Sequence, residues 1–292
     1  MKEDELKNYK KAAEIAAAVL GTVQIKPGMK VLDIAEGIEN KIKELGGKPA
    51  FPANISCNEY AAHDTASLND ARTLGEKDIV KIDIGVHVEG YIADRAVTFD
   101  FSNEHGKLLE ASQRALEDAV ATVKAGINVE VIGGVIENAI KIYGFRPIEN
   151  LTGHSLGKYT LHAGVEIPNF AARGRGALLE EGDVIAIEPF ATDGAGIVVE
   201  TTRTEIFSAL FEMPVRNAAA RQMFKSIKEI YHELPFAERW VADTFEKKLA
   251  LRDLVRNGSV RSYPVLREKS SGMVAQFEHT IIVNKDSAEV LI

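Results

Sequence analysis

The sequence has one cysteine, Cys57, so no disulfide bond can form within the chain, which is typical of proteins from a reducing compartment. It contains no run of 18 apolar residues that could cross a membrane. The charged stretch at residues 2–11 predicts the start of a helix rather than a secretion signal. We therefore expect a soluble, cytoplasmic protein that does not contact membranes.

The chain has fewer basic than acidic residues, with 35 Lys and Arg against 43 Asp and Glu, and its formal net charge is −8. An acidic chain is not expected to bind nucleic acid, and we predict no specific nucleic-acid partner. Low-complexity segments and Gly/Ser- or Pro-rich linkers are also absent, so composition marks no domain boundary. A chain of 292 residues can bury an ample core in one large domain or in two.

Two β-rich runs, residues 79–86 and 91–99, predict a hairpin around the short link Val88-Glu89-Gly90. A turn centred on the first two residues of this link would place Asp83 directly opposite Asp94. Like charges that face each other inside apolar strands repel, and their burial is costly unless a cation lies between them. The pair therefore favours a bound metal; the alternative is two solvated aspartates on a half-exposed hairpin.

A repeat at a constant offset of 98 residues indicates that the chain contains two related α/β halves. Residues 26–49 and 124–147 share eleven identities at this offset, including Glu39-Asn40 with Glu137-Asn138. Helix periodicity explains the matching apolar positions, but it does not require the Glu-Asn pairs or the flanking Gly and Pro residues. The pattern is therefore typical of a duplication.

The repeat extends more weakly to four carboxylates. The apolar strand that carries Asp83 resembles a strand that ends at Glu188, and the strand that carries Asp94 matches one that carries Glu278. We therefore expect each half to contribute one pair of carboxylates to a shared site.

The second half contains an insertion. The two carboxylates of the first half are 11 residues apart, whereas those of the second are 90 apart, which leaves 79 additional residues. Residues 221–232 and 241–255 of this excess have helical patterns. We predict a helical insertion subdomain at residues 206–262 within a catalytic domain formed by residues 1–205 and 263–292. An independent domain is the alternative.

His154 lies between Gly153 and Gly157, two residues that let the backbone approach closely. Such a histidine alone is more often structural, but four carboxylates favour a metal ligand. One imidazole with four carboxylates suits Mn, Fe(II), Co or Zn, and two divalent ions balance four negative charges better than one does. Two ions lower the pKa of a bridging water and polarise a carbonyl, so we expect metal-assisted hydrolysis of an amide or a phosphoester.

His63 and His162 are 99 residues apart in matching positions, so the duplication can place them on opposite sides of one cleft. A neutral histidine can donate a hydrogen bond to a carbonyl oxygen or to a tetrahedral intermediate. The alternative is a pair of surface loop histidines. Phe51 and Tyr263 each precede a proline and are candidate pocket walls, although aromatic residues in this context more often form corners of the core.

Together these motifs resemble the methionine aminopeptidases, and the likeness covers essentially the whole chain. The insertion is similar to that of the type 2 enzymes, and the short N-terminus resembles the archaeal form. The motifs are Phe51-Pro52-x-Asn54-Ile55-Ser56, Ala61-Ala62-His63, Leu151-Thr152-Gly153-His154-Ser155, Ala186-Ile187-Glu188-Pro189-Phe190 and Ala275-Gln276-Phe277-Glu278-His279-Thr280.

The resemblance implies a pita-bread α/β fold, in which pseudo-twofold α/β halves surround a curved antiparallel sheet. It implies that His63 and His162 bind the substrate backbone and steady the tetrahedral intermediate. It places Phe51 and Tyr263 near the pocket for methionine. It also implies two divalent metal ions, bridged by Asp94 and Glu278, with the ligand set Asp83, Asp94, His154, Glu188 and Glu278.

The activity implied by the resemblance is removal of the initiator methionine from nascent proteins and peptides whose second residue is small. A hydroxide between the two ions would attack the scissile carbonyl, and Glu188 would pass the proton to the leaving amine. We expect a monomer. Contact with the ribosome is compatible with this activity, although no motif indicates it.

Two alternatives remain open. A prolidase or aminopeptidase P has the same fold and ligand set, but the Leu-Thr-Gly-His and Gln-Phe-Glu-His motifs and the absence of a large N-terminal domain argue against it. A non-catalytic relative that binds nucleic acid or protein is compatible with the modestly basic insertion. Such a relative is expected to have lost ligands that this chain keeps.

Overall fold

The computed structural model describes residues 1–174 and 176–291, which form a mixed α/β fold. Arg175 and Ile292, both inside the predicted catalytic domain, lie outside the described residues. The helices are α1 (Glu3–Thr22), α2 (Val31–Glu44), α3 (Gly106–Thr122), α4 (Val129–Ile142), α5 (Ala218–Tyr231), α6 (Glu238–Val241) and α7 (Phe245–Arg256). No helix in the described part of the chain is long and apolar enough to cross a membrane.

The strands pair in antiparallel fashion and form curved sheets. They are β1 (Lys48–Pro49), β2 (Asn54–Cys57), β3 (Tyr60–Ala62), β4 (Ile79–Val88), β5 (Tyr91–Asp100), β6 (Arg146–Pro147), β7 (Thr152–Ser155), β8 (Glu166–Pro168), β9 (Val184–Ile187), β10 (Phe190–Thr192), β11 (Val198–Ala209), β12 (Phe236–Ala237), β13 (Val260–Glu268), β14 (Val274–Gln276), β15 (His279–Val283) and β16 (Ala288–Val290).

The sheets follow the two halves of the chain. In the first half, β4 pairs with β5 along one edge and with β1 and β2 along the other. In the second half, the strand order is β16-β15-β9-β7-β8. The order β12-β11-β13-β3 connects the strands that flank the insertion to the first half, and β14-β10-β6 forms a smaller sheet.

The predicted duplication is present in the structure. Helices α2 and α4 begin and end 98 residues apart, and so do the strand pairs β1 and β6, and β2 and β7. Gly46 and Gly144 follow the two helices with the same φ of 85°, a left-handed conformation that glycine adopts without steric cost. The two halves therefore share one local plan, as the repeat predicted.

Each half also has its own apolar core. The regularly spaced isoleucines of α2 are buried with α1 and β4, and those of α4 are buried with α3 and β9. Burying a side chain of this size stabilises the fold by about 1.5–3 kcal/mol, so the helix periodicity also decides which face meets the sheet. These residues are Ile34, Ile38 and Ile42 in α2, and Ile132, Ile136 and Ile140 in α4.

The hairpin forms as predicted, but its turn lies one residue later than expected. Glu89 and Gly90 have φ values of 52° and 91°, the left-handed conformation of a two-residue type I′ turn. A β-branched residue resists this conformation, so the turn excludes the valine before them. Asp94 therefore stands opposite Gly85, and the expectation that it faces Asp83 is wrong. The two carboxylates instead share one face, diagonally across the ladder.

The match between β15 and β5 is also different from the prediction. His279 of β15 pairs with the residue just before Glu188, and Val97 of β5 pairs with the residue just before Asp83. His279 and Val97 therefore hold equivalent positions in the two halves. Glu278 is therefore the counterpart of Ala96, and its predicted match with Asp94 is wrong by two residues. A shared site requires carboxylates that meet in space, and they need not come from equivalent positions of a repeat.

The insertion lies between the long paired strands β11 and β13. Helices α5 and α7 correspond to the two predicted helices, and α6 is an additional short one. The predicted limits at residues 206 and 262 fall inside β11 and β13, because these strands continue from the catalytic domain into the insertion. The insertion has an apolar cluster of its own, which includes Phe224, Phe236 and Leu254.

A buried ion pair joins the insertion to the first half. Arg239 of α6 pairs with Glu39 of α2, and both side chains are buried. Arg239 also donates to Oγ1 of Thr65 at 3.0 Å and to the carbonyl of Ala66 at 2.8 Å. The indole of Trp240 donates to Glu39 at 2.9 Å. Glu39, which helix periodicity did not require, therefore holds the insertion against the first half.

Candidate active site

All nine residues predicted to act in function line one cavity. Its volume is about 310 Å³, and it lies where strands of the two halves meet. The structure therefore brings the whole predicted set together. The nine lining residues are Phe51, His63, Asp83, Asp94, His154, His162, Glu188, Tyr263 and Glu278.

Strands of both halves bring the four carboxylates to this cavity. Asp83 of β4 and Asp94 of β5 lie on one face of the hairpin. Glu188 directly follows β9, and Glu278 directly precedes β15, which pairs with β9. The neighbour of Glu278 in sequence, His279, does not line the cavity, because successive side chains of a strand point to opposite faces.

His154 on β7 lies close to three of the carboxylates. Its Nε2 atom is 3.5 Å from Oε1 of Glu188 and 3.7 Å from Oδ2 of Asp94. One ligand atom each from Asp94, His154 and Glu278 lies within 4.8 Å of the others. Nitrogen and oxygen ligands bind zinc-like ions at about 2.0–2.2 Å, so ligands of one ion lie up to about 4.4 Å apart, and these three residues are close to that spacing.

Burial raises the pKa of all four carboxyl groups, and repulsion from neighbouring carboxylates adds to the effect at three of them. Burial raises the pKa of Asp83 to about 7. The pKa values of Asp94, Glu188 and Glu278 are raised well above their usual range, mainly by burial and then by neighbouring carboxylates. Burial lowers the pKa of His154 to about 3, so its imidazole is neutral at pH 7 and has a free lone pair. A nearby cation is what allows such a cluster to ionise at neutral pH.

Several buried polar atoms of the cavity have no hydrogen-bond partner among the described residues. They are Oδ1 of Asp83, Oδ1 of Asp94, Oε1 of Glu278 and Nδ1 of His154. A buried atom of this kind typically costs about 1–3 kcal/mol, which makes a cluster of them rare. Carboxylate oxygens that converge without a donor suit a divalent cation, so the residues present fit a metal centre.

His63 is held in one tautomer at the wall of the cavity. Its Nδ1 atom is 3.2 Å from the carbonyl oxygen of Pro264, and because that oxygen can only accept, Nδ1 carries the proton. Burial lowers the pKa of His63 to about 4, so the ring is neutral and its Nε2 is an acceptor. The ring meets Tyr263 edge-on, with 5.7 Å between the centroids. His63 is thus suited to accept a hydrogen bond through Nε2 rather than to donate one.

His162 lies beside His154 at the outer part of the cavity, with 4.3 Å between the ring centroids. Desolvation lowers the pKa of His162; Glu166 raises it and the positive charge of Arg261 lowers it. The net direction is downward, so the ring is neutral at pH 7. A neutral imidazole carries one N–H group and can donate it to a substrate oxygen.

Gln276 and Thr280 also belong to the site, although the sequence pattern assigned them no role. Gln276 donates from Nε2 to Oε2 of Glu188 at 3.3 Å. The hydroxyl of Thr280 accepts from the N–H of Asp94 at 2.7 Å and donates to its carbonyl at 2.9 Å, which ties the second half to the first. Both residues flank Glu278 in its motif, and their polarity within an apolar strand was the available signal.

Comparison with known proteins gives the relatives of the chain. The model of metallopeptidase family M24 matches residues 7–285. The methionine aminopeptidase of Thermococcus kodakarensis is 51% identical over 292 residues, which cover 98% of this chain and 99% of the relative.

A solved structure of a thermophilic Arx1 has a TM-score of 0.86 at 20% identity, and it covers 100% of this chain and 91% of that one. The methionine aminopeptidase of Thermotoga maritima has a TM-score of 0.74 at 24% identity, with 100% and 97% covered. These two structures show the fold, and the predicted pita-bread architecture is confirmed.

Proposed function

The chain belongs to metallopeptidase family M24, among the methionine aminopeptidases, and we propose that it removes the initiator methionine from nascent proteins in the cytoplasm when the second residue is small. As a member it is a hydrolase that uses divalent metal and acts on the N-termini of peptides. The observation that carries the proposal is the convergence of four carboxylates, two of them fully buried, and one neutral imidazole in a single cavity.

We propose that five residues, Asp83, Asp94, His154, Glu188 and Glu278, would hold two divalent ions. The support is electrostatic, because four carboxylates exceed the charge of one divalent ion and their pKa values are already raised by burial and repulsion. When bound, the ions lower the pKa of a water to make it a nucleophile and polarise the scissile carbonyl. Mn, Fe(II), Co and Zn all suit this donor set.

Glu188 is the residue proposed to carry the proton. Burial, and then the neighbouring Asp83, raise the pKa of Glu188 well above the usual range of a glutamate. A carboxyl group whose pKa is raised is suited to hold and release a proton in general acid–base catalysis. Gln276 steadies Oε2 by a hydrogen bond, and Oε1 lies beside His154. We propose that Glu188 takes a proton from the attacking water and gives it to the leaving amine.

The two cavity histidines have complementary roles in the proposal. His162 donates to the oxygen of the scissile carbonyl as negative charge develops there. His63, whose Nδ1 proton is committed to Pro264, accepts from a backbone N–H of the substrate through Nε2. A peptide bond presents both groups, so one donor and one acceptor on the cavity walls are suited to orient it.

The methionine side chain is proposed to lie against the apolar part of the cavity lining. Phe51 and Tyr263, the two predicted wall residues, belong to that part. Burying a methionine side chain contributes about 1.5–3 kcal/mol of binding, enough to favour it over a small residue. Further apolar lining residues are Leu151, Leu161, Phe190, Ile206, Pro235 and Leu266.

The organisation of the chain is part of the same proposal. We propose that residues 206–262 act as a subdomain of the catalytic domain, supported by their separate apolar cluster. We also propose that the protein works as a monomer on chains that emerge from the ribosome, since its substrates are the N-termini of nascent proteins.

The test is a peptide panel with metal-free protein supplied in turn with Mn, Fe(II), Co and Zn. We expect methionine release from Met-Ala-Ser and no cleavage of an X-Pro peptide such as Ala-Pro-Ser. The variant His154→Ala should lose activity, since it removes the nitrogen ligand, whereas His105→Ala, a histidine outside the cavity, should keep it. Cleavage of only the X-Pro peptide, or full activity in His154→Ala, would contradict the proposal.

A further inference from the structure

A second cavity adjoins the catalytic one. Its volume is about 240 Å³, and four of its lining residues, Leu161, His162, Pro235 and Tyr263, also line the catalytic cavity. If the N-terminus of a peptide lies among the carboxylates, the part of the peptide after its second residue must extend out of the catalytic cavity. The shared wall marks a route by which the rest of such a chain can continue.

Strands β11 and β13 carry side chains from one cavity to the other. Ile206 pairs with Tyr263, and two residues further along both strands Ser208 pairs with Arg261. Side chains two residues apart on a strand share a face, so Arg261 and Tyr263 lie on the same side. The hydroxyl groups of Ser208 and Tyr263 are 3.0 Å apart, in agreement with this arrangement. The step from Tyr263 to Arg261 spans about 6.6–6.8 Å, which is also the distance between alternate residues of an extended peptide.

Arg261 is exposed in this second cavity and forms no ion pair with a carboxylate of the described residues. The cavity also contains Glu233, a mostly exposed side chain whose Oε1 lies 4.0 Å from Nζ of Lys228. Lys228 offsets part of the charge of Glu233, whereas Arg261 has no carboxylate within 4.0 Å among the residues that the structure describes. The surface beyond the shared wall is therefore expected to attract a carboxylate at the level of Arg261.

We propose that the second cavity binds the substrate chain beyond the cleaved bond, and that Arg261 favours an acidic side chain at the third residue. This inference rests on the proposed function, since it requires a peptide with its methionine in the catalytic cavity. When the first residue is level with Tyr263, the third is level with Arg261. The exposed face of Phe211 forms an apolar outer wall for the residues that follow.

The experiment compares three C-terminally amidated peptides, Met-Ala-Glu-Gly, Met-Ala-Gln-Gly and Met-Ala-Lys-Gly, with the metal-loaded enzyme at low salt. We expect kcat/KM to be about two- to fivefold higher for the glutamate peptide than for the glutamine peptide, the size of an exposed ion pair. The lysine peptide should be the poorest of the three. The preference should shrink when about 0.5 M salt is added, because salt screens exposed charges. Equal values for the glutamate and glutamine peptides would overturn the proposal.

Matched variants assign the preference to one side chain. Arg261→Gln should lose the preference for glutamate, measured as the ratio of kcat/KM for the glutamate and glutamine peptides, in which any effect on the basal rate cancels. Arg261→Lys should keep part of the preference, and Arg261→Glu should favour the lysine peptide. Glu233→Gln, which removes the opposing charge of the same cavity, should keep or increase the preference for glutamate. A preference that persists unchanged in Arg261→Gln would also overturn the proposal.

The two proposals fail in distinguishable ways. If none of the three peptides releases methionine, the proposed function is wrong. If all three release methionine at equal rates, the proposed function stands and the role of Arg261 is wrong.

Discussion

Gly85 on β4 stands directly opposite Asp94 on β5, and the absence of a Cβ at Gly85 leaves the space that the ring of Phe51 occupies. A Cβ at this position would lie 2.3 Å from Cε1 and 2.5 Å from Cδ1 of Phe51. One residue without a side chain thus allows a candidate metal ligand and a candidate pocket wall to share a small area of the cavity.

Gly85→Ala is expected to lower the free energy of unfolding by about 1–3 kcal/mol, because the added methyl group overpacks the site. It should also raise KM for methionine peptides, since the ring of Phe51 must move. Urea denaturation and steady-state kinetics measure the two effects. The matched control is Gly37→Ala in α2, where an added Cβ meets nothing within 4 Å. That change should stabilise the protein by about 0.5–1 kcal/mol. A Gly85→Ala variant as stable and active as the parent would contradict this role.

Metal binding is expected to depend on pH in a defined direction. The carboxyl pKa values are raised, to about 7 for Asp83, so the metal-free site holds protons at about pH 6 that it has partly lost at about pH 8. An entering ion must displace these protons, whereas His154, with a pKa of about 3, is already neutral at both values. The rise in melting temperature on adding metal should therefore be larger at about pH 8.

Titration calorimetry in two buffers of different ionisation enthalpy should show the same effect as proton release on metal binding, with more release at about pH 6. Groups that do not contact the metal, such as the buried Lys81, also change the stability with pH. Their contribution cancels when the melting temperatures of metal-loaded and metal-free protein are compared at the same pH. Equal shifts in melting temperature at both pH values, with no proton release, would show that the carboxylates are already ionised before the metal binds.

The ion pair between Glu39 and Arg239 is expected to contribute strongly to the attachment of the insertion. Arg239→Met leaves Glu39 buried without its charged partner and should cost about 3–5 kcal/mol in unfolding free energy. The pKa of Glu39 is already raised, chiefly by burial, so Glu39 should take up a proton in the variant and reduce the loss at lower pH. Denaturation at two pH values and limited proteolysis of the insertion measure these changes.

The matched control for this pair is Lys247→Met, which removes an exposed ion pair with Asp243 within the same insertion. We expect no measurable change in stability from it. If Arg239→Met is as mild as Lys247→Met, the buried pair is not what holds the insertion in place.

His63→Ala is expected to lower kcat by about 10²-fold, the usual contribution of a positioned acid–base or hydrogen-bonding group. Because His63 is not among the proposed ligands, metal content should stay at the level of the parent. The pKa of His63 is lowered to about 4, so its loss should leave the pH profile above about pH 5 unchanged in shape. Loss of metal in this variant would indicate that His63 is a ligand, contrary to the proposal.

Much of the architecture could be predicted from the sequence, because the two halves of the chain repeat the same pattern. The isoleucines of α2 and α4 and the glycines that follow these helices could be predicted from periodicity and the 98-residue repeat. The strand that carries Asp83 and the strand that ends just before Glu188 resemble each other at a larger offset. The candidate site residues could be predicted because a carboxylate or histidine inside an apolar strand is rare and conspicuous.

The features that could not be predicted depend on backbone conformation or on distant partners. The hairpin turn lies one residue later than predicted, because Glu89 and Gly90 both adopt a positive φ. The sequence alone did not show which two residues would adopt this conformation. The pairing of β15 with β9 crosses the insertion, so no local pattern sets its register. The contact of Arg239 with Glu39 spans 200 residues, and neither residue indicates the other in the sequence.

The most direct test of the central claim is the number of divalent ions that the purified protein binds when its activity is restored. Metal-free protein titrated with Co(II) or Mn(II), with metal content measured by atomic emission and activity measured on Met-Ala-Ser, should approach two ions per chain at full occupancy. Glu278→Gln should bind less metal and release little methionine. Full release of methionine by a protein that binds no divalent metal, or unchanged binding in Glu278→Gln, would contradict the account.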